Sequence, residues 1–128
     1  MTTRATIVFG ATGGIGSRLC QRLAARGQKL VLVARNSQKL DQLADEVQGT
    51  PIAVDARNWQ QVEHAFNVVN QRGMRPVAVA HCVGSLILKP AHTTSETEWN
   101  ETMATNLTSA FAVLRSAAKA MIASGEGG

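Results

Sequence analysis

The sequence predicts a doubly wound parallel α/β sheet, and three observations predict it. Short β-branched runs alternate with helix-period patterns along the chain, as strands joined by crossover helices require. The second run, Leu30–Ala34, is apolar throughout, which fits a strand buried on both faces. A glycine-rich turn, Gly10 to Gly16, stands directly between the first strand and the first helix.

The first strand is expected over Ala5–Phe9. A helix from about Gly14 to Arg26 follows, with Ile15, Leu19, Leu23 and Ala24 inward and Arg18, Arg22 and Arg26 outward. Gly27 ends it. After Leu30–Ala34, Asn36 or Ser37 caps a helix whose inner stripe is Leu40, Leu43, Ala44 and Val47, closed by Gly49. Pro51–Val54 is the third strand and ends at Asp55. Asn58 caps a helix carrying Val62, Ala65, Phe66 and Val69, with Gly73 at its end.

Val77–Cys82 is the fourth strand, and residues 84–94 form a loop containing Pro90. Ser95-Glu96-Thr97-Glu98 reads as a capping box. It opens a long helix with Trp99, Met103, Leu107, Ala110, Phe111, Leu114 and Met121 on its apolar side, before the closing Gly125-Glu126-Gly127-Gly128. Right-handed crossovers with a switch point beside the first strand give the strand order 3-2-1-4.

The 128 residues suffice for one domain with a core, and 45% hydrophobic against 17% charged residues argues against disorder. The formal charge is +4, but Lys and Arg are scattered rather than clustered. The Arg18, Arg22 and Arg26 stripe reads as a solvated helix face, so no nucleic-acid partner is expected. Cys20 and Cys82 lie in apolar runs at no metal-ligand spacing, which reads as reduced core thiols and no metal. The early glycines interrupt any signal-peptide core, and no apolar run reaches spanning length. A soluble, cytoplasmic protein with no membrane partner is the expectation.

The segment Gly10-Ala11-Thr12-Gly13-Gly14-Ile15-Gly16 carries the strongest functional signal. It follows a strand and opens a helix, the context a dinucleotide-binding turn needs. Gly10 allows the tight turn. Gly13 or Gly14 lets the backbone approach a pyrophosphate, and Gly16 lets helix pack closely on strand. The helix N-terminus adds free N–H groups and a partial positive charge for the phosphates.

NAD-preferring folds of this type usually place an acidic residue at the end of the second strand, on the ribose 2′-hydroxyl. Here that place reads Val33-Ala34-Arg35-Asn36-Ser37. With no carboxylate and one arginine, the site is expected to take a 2′-phosphate, with Arg35 gripping it and Asn36 and Ser37 adding donors. NADP is therefore the expected cofactor.

The glycine segment resembles the short-chain dehydrogenase/reductase family, in which the fold is of the Rossmann type. Gly10, Gly14 and Gly16 match the spacing of its classical branch, and Gly10, Gly13 and Gly16 that of its extended branch. His81 is similar to the extended pattern, while Trp99 and Asn106-Leu107-Thr108-Ser109-Ala110-Phe111 are similar to the classical one. The resemblance implies that Asp55, followed by Ala56, contacts the adenine amino group. It also places His81-Cys82-Val83-Gly84 where the classical family has Asn-Asn-Ala-Gly, so that Gly84 alone survives beside the cofactor. His81 itself reads as a strand-end hydrogen-bonding histidine.

The family passes hydride between nicotinamide and a carbonyl or alcohol. A Tyr serves as acid/base, a Lys four residues on tunes it, a Ser orients substrate, and an Asn in the long helix anchors a proton-relay water. Only the last matches, at Asn106. The chain contains no tyrosine, and the resemblance implies that the Ser and Tyr-x-x-x-Lys would fall beyond Gly128. The expectation is thus an NADP-dependent short-chain oxidoreductase present as its cofactor-binding portion, inactive alone. A non-catalytic NADP-binding module is the alternative. The exposed last strand and long helix are expected to self-associate, since helices of this region commonly form the family's subunit interfaces.

Overall fold

A computed structural model describes residues 2–125; Glu126, Gly127 and Gly128 of the expected closing segment lie outside the described residues. The elements run β1 (Thr3–Phe9), α1 (Gly14–Ala25), β2 (Leu30–Ala34), α2 (Ser37–Val47), β3 (Thr50–Ala53), α3 (Trp59–Gln71) and β4 (Met74–His81). A 3-10 turn (Ala91–Thr93) follows, then α4 (Glu96–Met103), a π-helical segment (Ala104–Thr108) and α5 (Ser109–Ser124). The four strands are parallel in the order β3-β2-β1-β4, the predicted doubly wound Rossmann arrangement.

Strand periodicity divides one apolar run between two cores. Ile7 and Phe9 of β1, with Val31 and Val33 of β2, meet Val62, Ala65, Phe66 and Val69 of α3 and Ala112, Val113 and Ala117 of α5. Val8, Leu30 and Leu32 point the other way, onto Cys20 of α1 and Leu40, Leu43 and Ala44 of α2. Helices α1 and α2 therefore lie on one face and α3 and α5 on the other. The reversal falls between β1 and β4, and the strand ends there open into a crevice.

Local chemistry starts the helices where expected. Asn36 caps α2 by accepting from the Lys39 N–H at 3.0 Å, and Asn58 caps α3 by accepting from the Gln61 N–H at 3.1 Å. Ser95 and Glu98 complete a reciprocal capping box on α4. Arg18, Arg22 and Arg26 are exposed, as a solvated face requires.

Four expectations need correction. Strand β4 begins at Met74, three residues before the expected start. Pro76 is tolerated because β4 is an edge, and the register slips beside it, where Ala5 pairs with Pro76 but Thr6 with Ala78. Helix α2 closes on Gln48, which takes the left-handed conformation at φ 55°. Its side-chain amide donates to the Asp45 carbonyl at 2.7 Å and offsets part of that strain. The Gly49 backbone instead lies so near Leu32 that an added Cβ would stand 3.1 Å from its Cδ1.

Ile15 is not an inward residue of α1: it is 80% exposed, because the first turn projects past the sheet, and Gly16 and Cys20 are the buried pair. The long helix is rotated as well, with Met103, Ala110 and Met121 of the expected side partly buried. Trp99, Leu107, Phe111 and Leu114 are each more than half exposed, while Ser109, Ala112, Val113, Ser116 and Ala117 are buried. The π segment inserts an extra residue into one turn and rotates everything downstream. Small side chains then let α5 lie close on β4 and α3.

Candidate nucleotide site

The C-terminal ends of the strands align, Phe9 with Val33 and with His81, and Ala34 with Ala53. The turns after all four strands therefore emerge along one line. Gly10 donates to the Val33 carbonyl at 2.9 Å and takes φ +73°. A Cβ on Gly10 would lie 2.6 Å from the Cys82 carbonyl carbon and oxygen, so only glycine lets the turns after β1 and β4 approach this closely. Gly16 has the tightest fit: its Cβ would stand 2.0 Å from the Gly10 carbonyl oxygen.

Gly14 is the opposite case, with nothing within 4 Å of an added Cβ. Helix α1 begins beside it on Gly13, with no side-chain cap and no acidic residue in its first turn. The first N–H groups of a helix have no intrahelical acceptor. Open space above Gly14, uncapped donors and the positive helix end together fit a pyrophosphate.

A cleft of about 370 Å³ runs from this turn across the sheet ends. Gly10, Thr12, Gly13, Arg35, Asp55, Ala56 and Gly84 of the sequence-predicted site line it, beside Cys82, Arg57 and Glu101. A hollow at its β2 end is lined by Thr12, Arg35, Asn36 and Lys39. Gly14, Ile15, Gly16, Ser37 and Asn106 line neither. Gly16 is buried under the turn, while Gly14, Ile15 and Ser37 are exposed at the first turns of α1 and α2.

Lys39 and Arg57 escaped sequence reasoning. Lys39 follows Arg35 by four residues, a spacing that could have found it, since Arg35 directly follows β2 and Lys39 stands in the first turn of α2. Arg57 follows Asp55 by two residues, and its fork lies on both carboxylate oxygens. That pairing, helped by the nearby charge of Arg35, holds the Asp55 carboxyl below its usual range. Asp55 is further fixed because its N–H donates to Gln61 Oε1 at 2.7 Å.

Asn106 sits in the π segment, behind Gly84. Its Oδ1 accepts from the Ser85 N–H at 2.9 Å, and its Nδ2 donates to the Thr102 carbonyl at 2.9 Å and the Ser85 hydroxyl at 3.3 Å. It bonds locally within the helix and also fastens the loop after β4. The same loop is held further on by Lys89, which donates to Glu98 at 2.7 Å. That contact, with the Ser95 capping bonds, draws the Glu98 carboxyl down to about 2.

His81 meets Ser109 across 3.0 Å, and the Ser109 hydroxyl donates to the Thr105 carbonyl. Ser109 must then accept, which leaves His81 Nε2 as the donor. Burial holds the imidazole below its usual pKa. Cys20 and Cys82 are both free thiols on the α1 side of the sheet. Burial, reinforced by Cys82, pushes Cys20 up to about 11, so it stays protonated at neutral pH. Among the described residues no group of three metal-ligating side chains converges, and no helix is long and apolar enough to cross a membrane.

The fold and this crevice define a doubly wound α/β protein of the Rossmann class. The chain belongs to the short-chain dehydrogenase family, whose model matches residues 4–128. It is 32% identical over 125 residues to galactitol 2-dehydrogenase (L-tagatose-forming) of Cereibacter sphaeroides, covering 94% of this chain and 48% of the relative. It is 26% identical over 126 residues to a protein of Haemophilus influenzae named "Probable NADP-dependent dehydrogenase", covering 96% and 50%. Among solved structures it superposes on an actinorhodin polyketide ketoreductase variant with NADPH at a TM-score of 0.91 and 24% identity, covering 99% of this chain and 52% of that one. The chain spans about half the length of the curated relatives it matches.

Proposed function

We propose that this chain binds NADP(H) in the cleft, as the cofactor-holding part of an NADP-dependent short-chain oxidoreductase. One observation carries the reading: the hollow at the end of β2 is lined by Thr12, Arg35, Asn36 and Lys39, two cations and two hydrogen-bonding side chains without a carboxylate. A 2′-phosphate needs such a lining, whereas a 2′-hydroxyl calls for an acid. The named NADP-dependent relative supports the same choice.

In this reading the bound dinucleotide supplies or accepts hydride at its nicotinamide. The chain's own residues bind and orient it. Gly13, Gly14, Ile15 and the start of α1 receive the pyrophosphate, and Gly10 and Gly16 hold that turn against the sheet. Arg35 and Lys39 pair with the 2′-phosphate while Thr12, Asn36 and Ser37 offer further hydrogen bonds. Asp55 and Ala56 face the base, and Gly84 keeps the wall beside the ribose open. Asn106 holds the Gly84–Ser85 backbone and, on the family pattern, anchors the proton-relay water.

Titration with NADPH and NADH, read by nucleotide fluorescence, tests the cofactor. NADPH is expected to bind at least tenfold tighter; equal affinity, or tighter NADH, removes the case for NADP.

The exposed stripe of Trp99, Leu107, Phe111 and Leu114, with the open edge of β4, supports self-association as a second element of the proposal. Sedimentation of the chain at micromolar concentration is expected to show a dimer or larger species. Leu114→Glu, at an exposed position, should shift it to monomer without lowering the melting temperature. A parent chain that sediments as a monomer across that range refutes this element.

A further inference from the structure

Asp55 does not present a bare carboxylate to the cleft. Arg57 Nε lies 3.1 Å from Oδ1 and 3.3 Å from Oδ2, and Nη2 lies 2.8 Å from Oδ2. The Arg57 backbone N–H adds a third donor, to Oδ1 at 2.9 Å. A carboxylate has about four acceptor directions, so this one residue takes most of them. The pair is also partly withdrawn from water, with the Arg57 and Asp55 side chains 38% and 27% exposed. From α4, Glu101 lines the same cleft, and its charge reaches Arg57. The guanidinium is thus attracted by acids on two elements.

We infer that Arg57 is a specificity-determining residue of the nucleotide site: by engaging both oxygens of Asp55, it masks that carboxylate from the exocyclic amino group of a bound purine. The inference rests on the cleft taking an adenine nucleotide as proposed above. A free carboxylate at this place would accept from an amino group and repel a keto oxygen. A carboxylate already filled by an arginine fork does neither strongly, and the fork's own donors favour a keto oxygen. The site should therefore distinguish amino from keto purines poorly, and removing Arg57 should sharpen that distinction.

Calorimetry on the full chain with adenosine 2′,5′-bisphosphate and its inosine counterpart tests this. The parent chain is expected to bind the two within about threefold of each other. Arg57→Ala should favour the adenosine compound by roughly tenfold or more, the effect of an added hydrogen bond to a charged acceptor. Arg57→Lys, which keeps the charge but cannot span both oxygens, should move the ratio the same way. Adding Asp55→Asn to Arg57→Ala should cancel the gain. A parent chain that already prefers adenosine tenfold, or a ratio unmoved by either Arg57 variant, overturns the inference while leaving the nucleotide site standing. Failure of both compounds to bind a parent chain with an intact thermal transition overturns the nucleotide site, and the inference with it.

Discussion

Gly16→Ala is expected to lower stability by at least about 3 kcal/mol, beyond the usual cost of overpacking because both clashing partners are backbone. The added Cβ would stand 2.0 Å from the Gly10 oxygen, 2.9 Å from the Gly10 carbonyl carbon and 3.1 Å from the Ala11 Cα. No side chain can rotate away. Gly10 cannot retreat either, since it donates to Val33 and its own open side faces the Cys82 carbonyl. Helix α1 must therefore lift off β1 and disturb the core around Val8 and Cys20. A thermal melt should show a fall of roughly 10 °C or more.

Gly14→Ala provides the contrast. With nothing within 4 Å of the new methyl group, it should leave the melting temperature unchanged or slightly raised. Its effect should fall on the ligand, because the methyl group enters the space proposed for the pyrophosphate. NADPH affinity is expected to drop at least tenfold. A Gly14→Ala chain that binds NADPH like the parent would show that the phosphates lie elsewhere.

The second large effect is expected at Arg35. Its removal takes away a charge-assisted contact of about 1.5–3 kcal/mol. Arg35→Ala should thus weaken NADPH binding by roughly 10- to 150-fold, at 1.36 kcal/mol per tenfold. NADH binding should change by less than about threefold. Arg35 is exposed, so stability should hold within about 0.5 kcal/mol. Equal losses for both nucleotides would assign Arg35 to stacking on the base rather than to the phosphate. Lys39→Ala should act in the same direction but more weakly, as a compact charge without a planar fork.

Much of the fold was legible because its determinants are local. A cap needs only one side chain and an N–H three residues on, so Asn58 and Ser95 could be placed by inspection and the cap of α2 narrowed to Asn36 or Ser37, of which the structure uses Asn36. The strand order followed from alternating elements and crossover handedness. The glycine turn was legible as well, since Gly10 and Gly16 each answer to a distinct steric need. The π segment was not. Thr105, Asn106 and Thr108 are weak helix formers but do not by themselves signal an extra residue in the turn, which becomes visible only in the folded chain.

Arg57 shows the same limit in the site. Its separation from Asp55 could be read, but whether its side chain turns back onto that carboxylate or out to water depends on the turn held by Asn58 and Gln61.

By itself, the amino-acid sequence determined the order and type of the main elements, the parallel sheet and the glycine turn, because periodicity, capping and glycine sterics act over a few residues. Only the tertiary structure decided which face of the long helix is buried, that Ile15 is exposed, and that Lys39 and Arg57 stand at the cleft. Those outcomes depend on how closely separate elements approach, and that distance is set by small side chains and one extra residue in a helical turn.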